Sequence, residues 1–336
     1  MKNASLPTTL THTASHPTIA PLPAALRVTG RLAALLALAL GARAAVAQAP
    51  AAAPAAGGPP PEVTVKTTLL GGSVYGIDGR GGRAAALVGP QGVFIVDAQF
   101  PDVTDKIVAA LKQISSSQLR FLVNTHVHGD HTGGNENFAK LGVTILGRPA
   151  LRAQLLNPRP APGNGQVPPV APPAALPVVM FDAPTTVYFN GETVQLVPLN
   201  PAHTDGDTAV KFERADVLMT GDVFRSAGFP AAAITNGGSV LGTINELDRL
   251  IAMAGPNTKV VPGHGPVVDR AALVFHRDMA VTVRDRVAKA LRDGKTADEI
   301  RASKPTAEFE ERVGGPPNFI AQFVDGLITE LGAQRR

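Results

Sequence analysis

Four potential metal ligands, His126, His128, Asp130 and His131, fall within six residues of this chain, directly after the run Arg120–Asn124. That run reads as a buried strand, so the chain must fold in a way that delivers a strand end to a site. On an extended strand end residues two apart face the same way, and His126 and His128 can therefore grip one ion. The turn that follows, eased by Gly129, can send Asp130 and His131 to a second ion close by.

The pattern on either side is short β-rich runs interleaved with amphipathic segments. Val63–Leu70, Ser73–Asp78, Arg83–Val88 and Val93–Val96 are expected as consecutive strands with Gly-rich turns. A helix over 102–114 follows, with Val103, Ile107, Ala110, Leu111 and Ile114 at helical spacing. The second half repeats the theme with strands near 186–189, 193–198, 208–212 and 217–220, a helix over 243–254 and a strand at 259–261. Helices near 270–291 and 318–331 close the chain. Strands then helix, twice over, predict an α/β chain of two sheets packed face to face with helices on both outer surfaces. Between the halves, Asn157–Pro177 holds eight prolines and is expected as an irregular excursion, either a solvated insertion or a flap over the site.

Three further candidate ligands stand alone in tight loops: His203 in Pro-Ala-His-Thr-Asp-Gly-Asp, Asp222 in Thr-Gly-Asp-Val and His264 in Pro-Gly-His-Gly-Pro. Flanking Gly and Pro suit a ligand that must reach inward from a preorganised turn. The chain has eight histidines; His12 and His16 lie near the N-terminus, five of the other six fall in these motifs, and His276, on a helix, reads as structural. Cysteine is absent, which removes disulfides, thiolate ligands and a cysteine nucleophile, so any metal site must use nitrogen and oxygen.

Residues 1–47 carry Lys2, Arg27, Arg31 and Arg43 and no acid, and include an apolar run of about eleven residues ending near Ala45-Val46-Ala47. They are expected to be a signal peptide cleaved near Ala47, too short in its apolar stretch to span a bilayer, which places the protein in the periplasm or outside the cell. Residues 48–61, almost all Ala, Pro and Gly, read as a tether, and 62–336 as a single catalytic domain. With the leader removed, 27 bases face 27 acids. That balance lacks the footprint of a nucleic-acid binder and points to a small-molecule substrate; it says nothing of oligomeric state.

The order His-x-His-x-Asp-His at 126–131, a single His203, Gly-Asp at 222 and Gly-His-Gly at 264 resembles the metallo-β-lactamase superfamily. The resemblance, from about Val63 to Asp269, implies a four-layer αββα sandwich with two Zn2+ per chain at one edge of the sheets. It implies His126, His128 and His203 on the first zinc, Asp130, His131 and His264 on the second, and Asp222 bridging. Asp97, ending the run Val93–Asp97, matches an aspartate that supports such sites from behind.

Two dications about 3.5 to 4 Å apart lower the pKa of a shared water to about 7, which implies hydrolysis with Asp130 orienting the nucleophile. A β-lactam or similar cyclic amide is the favoured substrate, and Arg225, three residues past Asp222, is a candidate for binding a substrate carboxylate. The alternative is a lactone, ester or thioester, since an aspartate at 222 makes the site resemble lactonases and glyoxalase II enzymes. From another class, a mononuclear iron oxidase or dioxygenase can use the same histidine motif.

Overall fold

The computed structural model describes residues 62–161 and 165–334. The expected leader and the whole of the expected tether lie outside these residues.

Twelve strands among the described residues form two sheets. The first holds β1 (Lys66–Gly71), β2 (Val74–Asp78), β3 (Ala84–Gly89), β4 (Gly92–Val96), β5 (Leu119–Val123), β6 (Thr144–Gly147) and β7 (Val179–Met180), in that spatial order. Its first four strands run antiparallel, whereas β4 to β7 run parallel. The second sheet holds β8 (Thr185–Phe189), β9 (Glu192–Pro198), β10 (Thr208–Phe212), β11 (Val217–Met219) and β12 (Lys259–Val261); β11 and β12 run parallel.

The side-chain alternation of these strands explains the layering. On β3, Ala85 and Leu87 join Phe94, Val96 and Val123 in a core that meets Val194, Leu196, Val210, Phe212 and Met219 of the other sheet. Ala84, Ala86 and Val88 face the opposite way, where Ile107 and Leu111 of α1 (Thr104–Ile114) and Phe138 of α3 (Asn135–Lys140) share their cluster; α2 (Gly129–Thr132) and α4 (Pro149–Leu156) are the other helices of this half. Period two thus places one apolar face inward and one under helices.

The outer face of the second sheet is covered by α5 (Val240–Met253) and the start of α6 (Arg270–Arg292), through Leu247, Leu250 and Leu273 against Ala209, Leu218 and Val260. A last cluster joins α5 and α6 to α7 (Ala297–Ala302), α8 (Ala307–Val313) and α9 (Pro317–Ala333). The result is the expected αββα sandwich.

Several boundaries differ from the sequence expectation. The 102–114 helix opens with a 3-10 turn at Pro101–Val103, because Pro101 cannot donate to a preceding turn. The 243–254 helix begins at Val240, where Ser239 accepts from the amide of Gly242 as an N-cap.

Candidate metal centre

All the candidate ligands sit at one edge of the sandwich, where parallel strands end. Asp97 follows β4 and His126 follows β5; Asp222 follows β11 and His264 follows β12; His203 lies in the loop from β9 to β10. Adjacent parallel strands must end on the same edge, so residues far apart in sequence converge there. Backbone bonds lock the two halves together: Thr208 donates to the Thr125 carbonyl (2.8 Å) and Arg83 to that of Gly263 (2.7 Å).

Three groups of donor atoms can hold a cation: His126 with His128 and His203; His126 with His131 and Asp222; and Asp130 with His131 and His264. In the first, His128 Nδ1 lies 3.1 Å from His126 Nε2 and 2.9 Å from His203 Nε2. Donors around a tetrahedral zinc with Zn–N near 2.05 Å stand about 3.3 Å apart, so this spacing approaches that of a ligand triangle. Beside it, His264 Nε2 lies 3.0 Å from Asp130 Oδ2 and 3.2 Å from Asp222 Oδ2, and His131 Nε2 lies 3.3 Å from Asp222 Oδ1. Asp222 therefore stands between the two groups.

The residues fit a cation on an independent observation. His131 Nε2 and Asp222 Oδ1 are buried without a hydrogen-bond partner, an arrangement that costs free energy unless something positive lies between them. An all-nitrogen-and-oxygen donor set suits zinc and also iron.

The outer nitrogen of four of the five ligand rings is occupied as well. His131 Nδ1 meets Asp97 Oδ2 at 2.7 Å, His126 Nδ1 meets the Thr125 hydroxyl at 3.1 Å, His128 Nε2 meets Asn236 Oδ1 at 3.3 Å, and His203 Nδ1 meets the Ala231 carbonyl. An outer N–H donated to these oxygens leaves the other nitrogen's lone pair aimed at the centre. Asp97 also accepts from the Thr125 amide (2.7 Å) and hydroxyl (2.8 Å), so one carboxylate braces both His126 and His131. Its φ of 63° is left-handed, a conformation that costs a non-glycine residue energy and recurs at functional sites.

Electrostatics divides the centre. Burial, followed by the neighbouring histidines, holds His126 well below the usual imidazole range; burial, then His203, brings His128 down to about 4; burial lowers His203. His131 moves the other way: burial opposes its charge, but Asp97 and Asp222 outweigh it. His264 behaves likewise, with burial overcome by the hydrogen bonds it donates to Asp130 and Asp222, and rises to about 9. Burial raises Asp130 and Asp222, yet their histidine partners win and both carboxyls lie below the ordinary range.

Glycine at two positions makes the approach possible. A Cβ on Gly82 would overlap the His131 ring, and one on Gly263 would overlap the Asp222 carboxylate.

Residues 78–264, more than half of the chain, match the family described as the metallo-beta-lactamase superfamily. The chain belongs to that superfamily. It is similar to a hydroxyacylglutathione hydrolase of Brucella anthropi, at 27% identity over 73% of this chain and 83% of the relative. A metallo-beta-lactamase type 2 of Bacillus cereus is 23% identical over 56% of this chain and 69% of the relative. Among solved structures, a metallo-beta-lactamase from Pontibacter korlensis superposes with a TM-score of 0.53 at 18% identity, covering 64% of this chain and 98% of that one, which shows the shared fold. Membership makes the chain a metal-dependent hydrolase, and the superfamily places zinc in such centres.

The structure brings all seven sequence-predicted ligands into one cluster, puts Asp97 behind it, and sets Arg225 Nη1 3.3 Å from Asp222 Oδ2 with its guanidinium over the Phe319 ring at 4.6 Å. Sequence reading missed Thr125, Asn236 and the Ala231 carbonyl. Thr125 adjoins the histidine motif and was findable as a hydroxyl beside a ligand; Asn236 and Ala231 lie in a loop with no periodic or motif signal. The cavity over the centre, about 540 Å³, also draws Asn318, Phe319 and Gln322 from α9.

Proposed function

We propose that this superfamily member is a dinuclear zinc hydrolase that opens cyclic amides, with β-lactams as the favoured class. The observation that supports it most is the pair of donor groups on either side of Asp222, one made only of histidine nitrogens and the other mixed. In this reading His126, His128 and His203 would hold one ion and Asp130, His131 and His264 the other, with the Asp222 carboxylate lying between the two groups. Two zinc ions bound there would supply Lewis acidity and a water that ionises near neutral pH.

The chain's own residues do the rest. The three low-pKa histidines present neutral lone pairs, so no proton competes for them at neutral pH. Asp130 is kept ionised and lines the cavity, where it orients the attacking water and holds its proton. Arg225 lines the same cavity with a buried Nε that has no hydrogen-bond partner, and offers a charge-assisted contact to a substrate carboxylate.

A second reading, hydrolysis of a lactone, ester or thioester, draws on Asp222 and on the similarity to hydroxyacylglutathione hydrolases. Initial rates on nitrocefin and on a γ-lactone, each with and without chelator, separate them. Chelator-sensitive nitrocefin turnover supports the first; lactone turnover alone moves the assignment to the second; a single iron per chain overturns the dinuclear zinc hydrolase.

We further propose that residues 1–47 direct export to the periplasm or beyond, 48–61 form a tether and 62–336 one catalytic domain. No helix of the described residues is long and apolar enough to cross a membrane. An exported form whose N-terminus reads Gln48 is the expected result, and an intact leader on that form contradicts it.

A further inference from the structure

Residues 158–161 and 168–175 of the Pro-rich insertion wall a second cavity beside the metal centre. This cavity holds about 350 Å³ and shares Phe100, His128, Gly129 and Ala161 with the larger one above the donor atoms, so the two adjoin at the His128 side of the centre. Leu155, Pro158, Pro168, Ala171 and Pro172 supply much of the remaining wall. The insertion is tied down around it: Ala171 donates to the Leu155 carbonyl (3.0 Å), Thr235 to that of Pro160 (2.8 Å), and Asn135 to that of Ala175 (3.0 Å).

The charges around this cavity are already spent. Arg159 pairs with Asp205 at 3.3 Å, Glu136 with Lys140 at 2.9 Å, and Gln154 accepts from Asn236 at 2.8 Å. The neighbouring cavity differs, because Arg225 there keeps a buried nitrogen without a partner. An apolar wall whose polar groups are mutually satisfied rewards a ligand that brings none of its own.

We propose that this cavity is the subsite for an uncharged, apolar arm, aliphatic or aryl, attached to the carbonyl hydrolysed at the centre. The identity of the bond cut rests on the hydrolase reading above, whereas the chemistry of the arm rests on the cavity itself. Each methylene the arm buries is worth a factor of about four in affinity. A carbonyl compound lacking the arm leaves the cavity unfilled and is bound more weakly.

Two variants test it: Ala171→Trp, which fills the cavity, and Leu155→Asp, which makes its wall polar; Tyr188→Ala, an exposed residue of the other sheet, is the control. The first readout is the ratio of kcat/KM for benzylpenicillin over 6-aminopenicillanate, and for a long-chain over a short-chain N-acyl lactone. Both ratios are expected to drop at least tenfold in the two variants and to hold in the control. The second readout is fluorescence of N-phenyl-1-naphthylamine, an uncharged apolar probe, added to the full protein with and without chelator. Saturable binding that weakens at least tenfold in both variants supports the subsite. Ratios and probe binding equal to wild type in both variants, at equal melting temperature, overturn it. Probe binding that responds to Ala171→Trp in a protein with no chelator-sensitive turnover supports the subsite and sinks the hydrolase reading instead.

Discussion

The two donor groups of the centre solve the same problem with opposite electrostatics. In the group of His126, His128 and His203, burial and mutual repulsion keep the imidazoles neutral, and their lone pairs converge with no anion wholly their own. In the group of Asp130, His131 and His264, carboxylates pull the histidines toward the protonated form, and the charges balance one another. The first group is a set of ligands held apart for a cation; the second must exchange protons for one. Preorganisation of the histidine group therefore comes from the surrounding acceptors, Thr125, Asn236 and the Ala231 carbonyl, rather than from attraction among the ligands.

The largest expected effects come from breaking either group. His128→Ala is expected to abolish hydrolysis and to lower metal content from about two ions to about one, because the mixed group survives it. His264→Ala is expected to produce the same stoichiometry from the other side. Metal analysis checks both, and wild-type activity in either variant contradicts the assignment.

Asp97→Asn comes next. Since Asp97 braces His131 directly and His126 through Thr125, both groups are expected to weaken together, with metal affinity or activity falling about 10- to 100-fold. Loss confined to one ion shows that the bracing is not shared.

Proton competition gives a smaller, graded effect. The raised pKa of His131 and the value of about 9 for His264 mean that their protons compete with a cation until pH rises through that range. Affinity of the mixed group is expected to climb between pH 6 and 9, while that of the histidine group, whose pKa values lie below the ordinary one, stays level. Isothermal titration of metal into the stripped protein at several pH values reads this out.

The smallest effect lies outside both groups. Burial, with Arg312 adding to it, lowers His276 to about 4. Below its ordinary pKa of 6.5 the unfolded chain takes the proton first, so stability is complete above pH 6.5 and declines as pH falls toward 4, by no more than about 1.4 kcal/mol per pH unit. His276→Phe is expected to flatten that slope in urea melts without changing metal content; an unchanged slope assigns the acid sensitivity elsewhere.

The histidine motif, the isolated loop ligands and the alternating strands were readable because each repeats a simple geometric need: period two for a half-buried strand, glycine where backbone meets ligand. What escaped was short or purely tertiary. β6 is four residues, Thr144–Gly147, and α3 six, Asn135–Lys140, too brief for either period to declare itself. α7 and α8 likewise hide behind the longer α6 and α9. Asn236 touches His128 from 108 residues away, and Phe319 lies beneath Arg225 only because α9 packs back over the site. No local pattern encodes such contacts. The Pro-rich insertion was legible as irregular, but its role as a cavity wall depends on where the fold lays it.

Metal stoichiometry by mass spectrometry on the purified protein, read beside the rate of hydrolysis as zinc is removed and restored, tests the dinuclear zinc hydrolase most directly. About two zinc ions per chain are expected, with activity lost on chelation and regained on zinc addition. One ion bound as iron, or hydrolysis that survives complete metal removal, would contradict it.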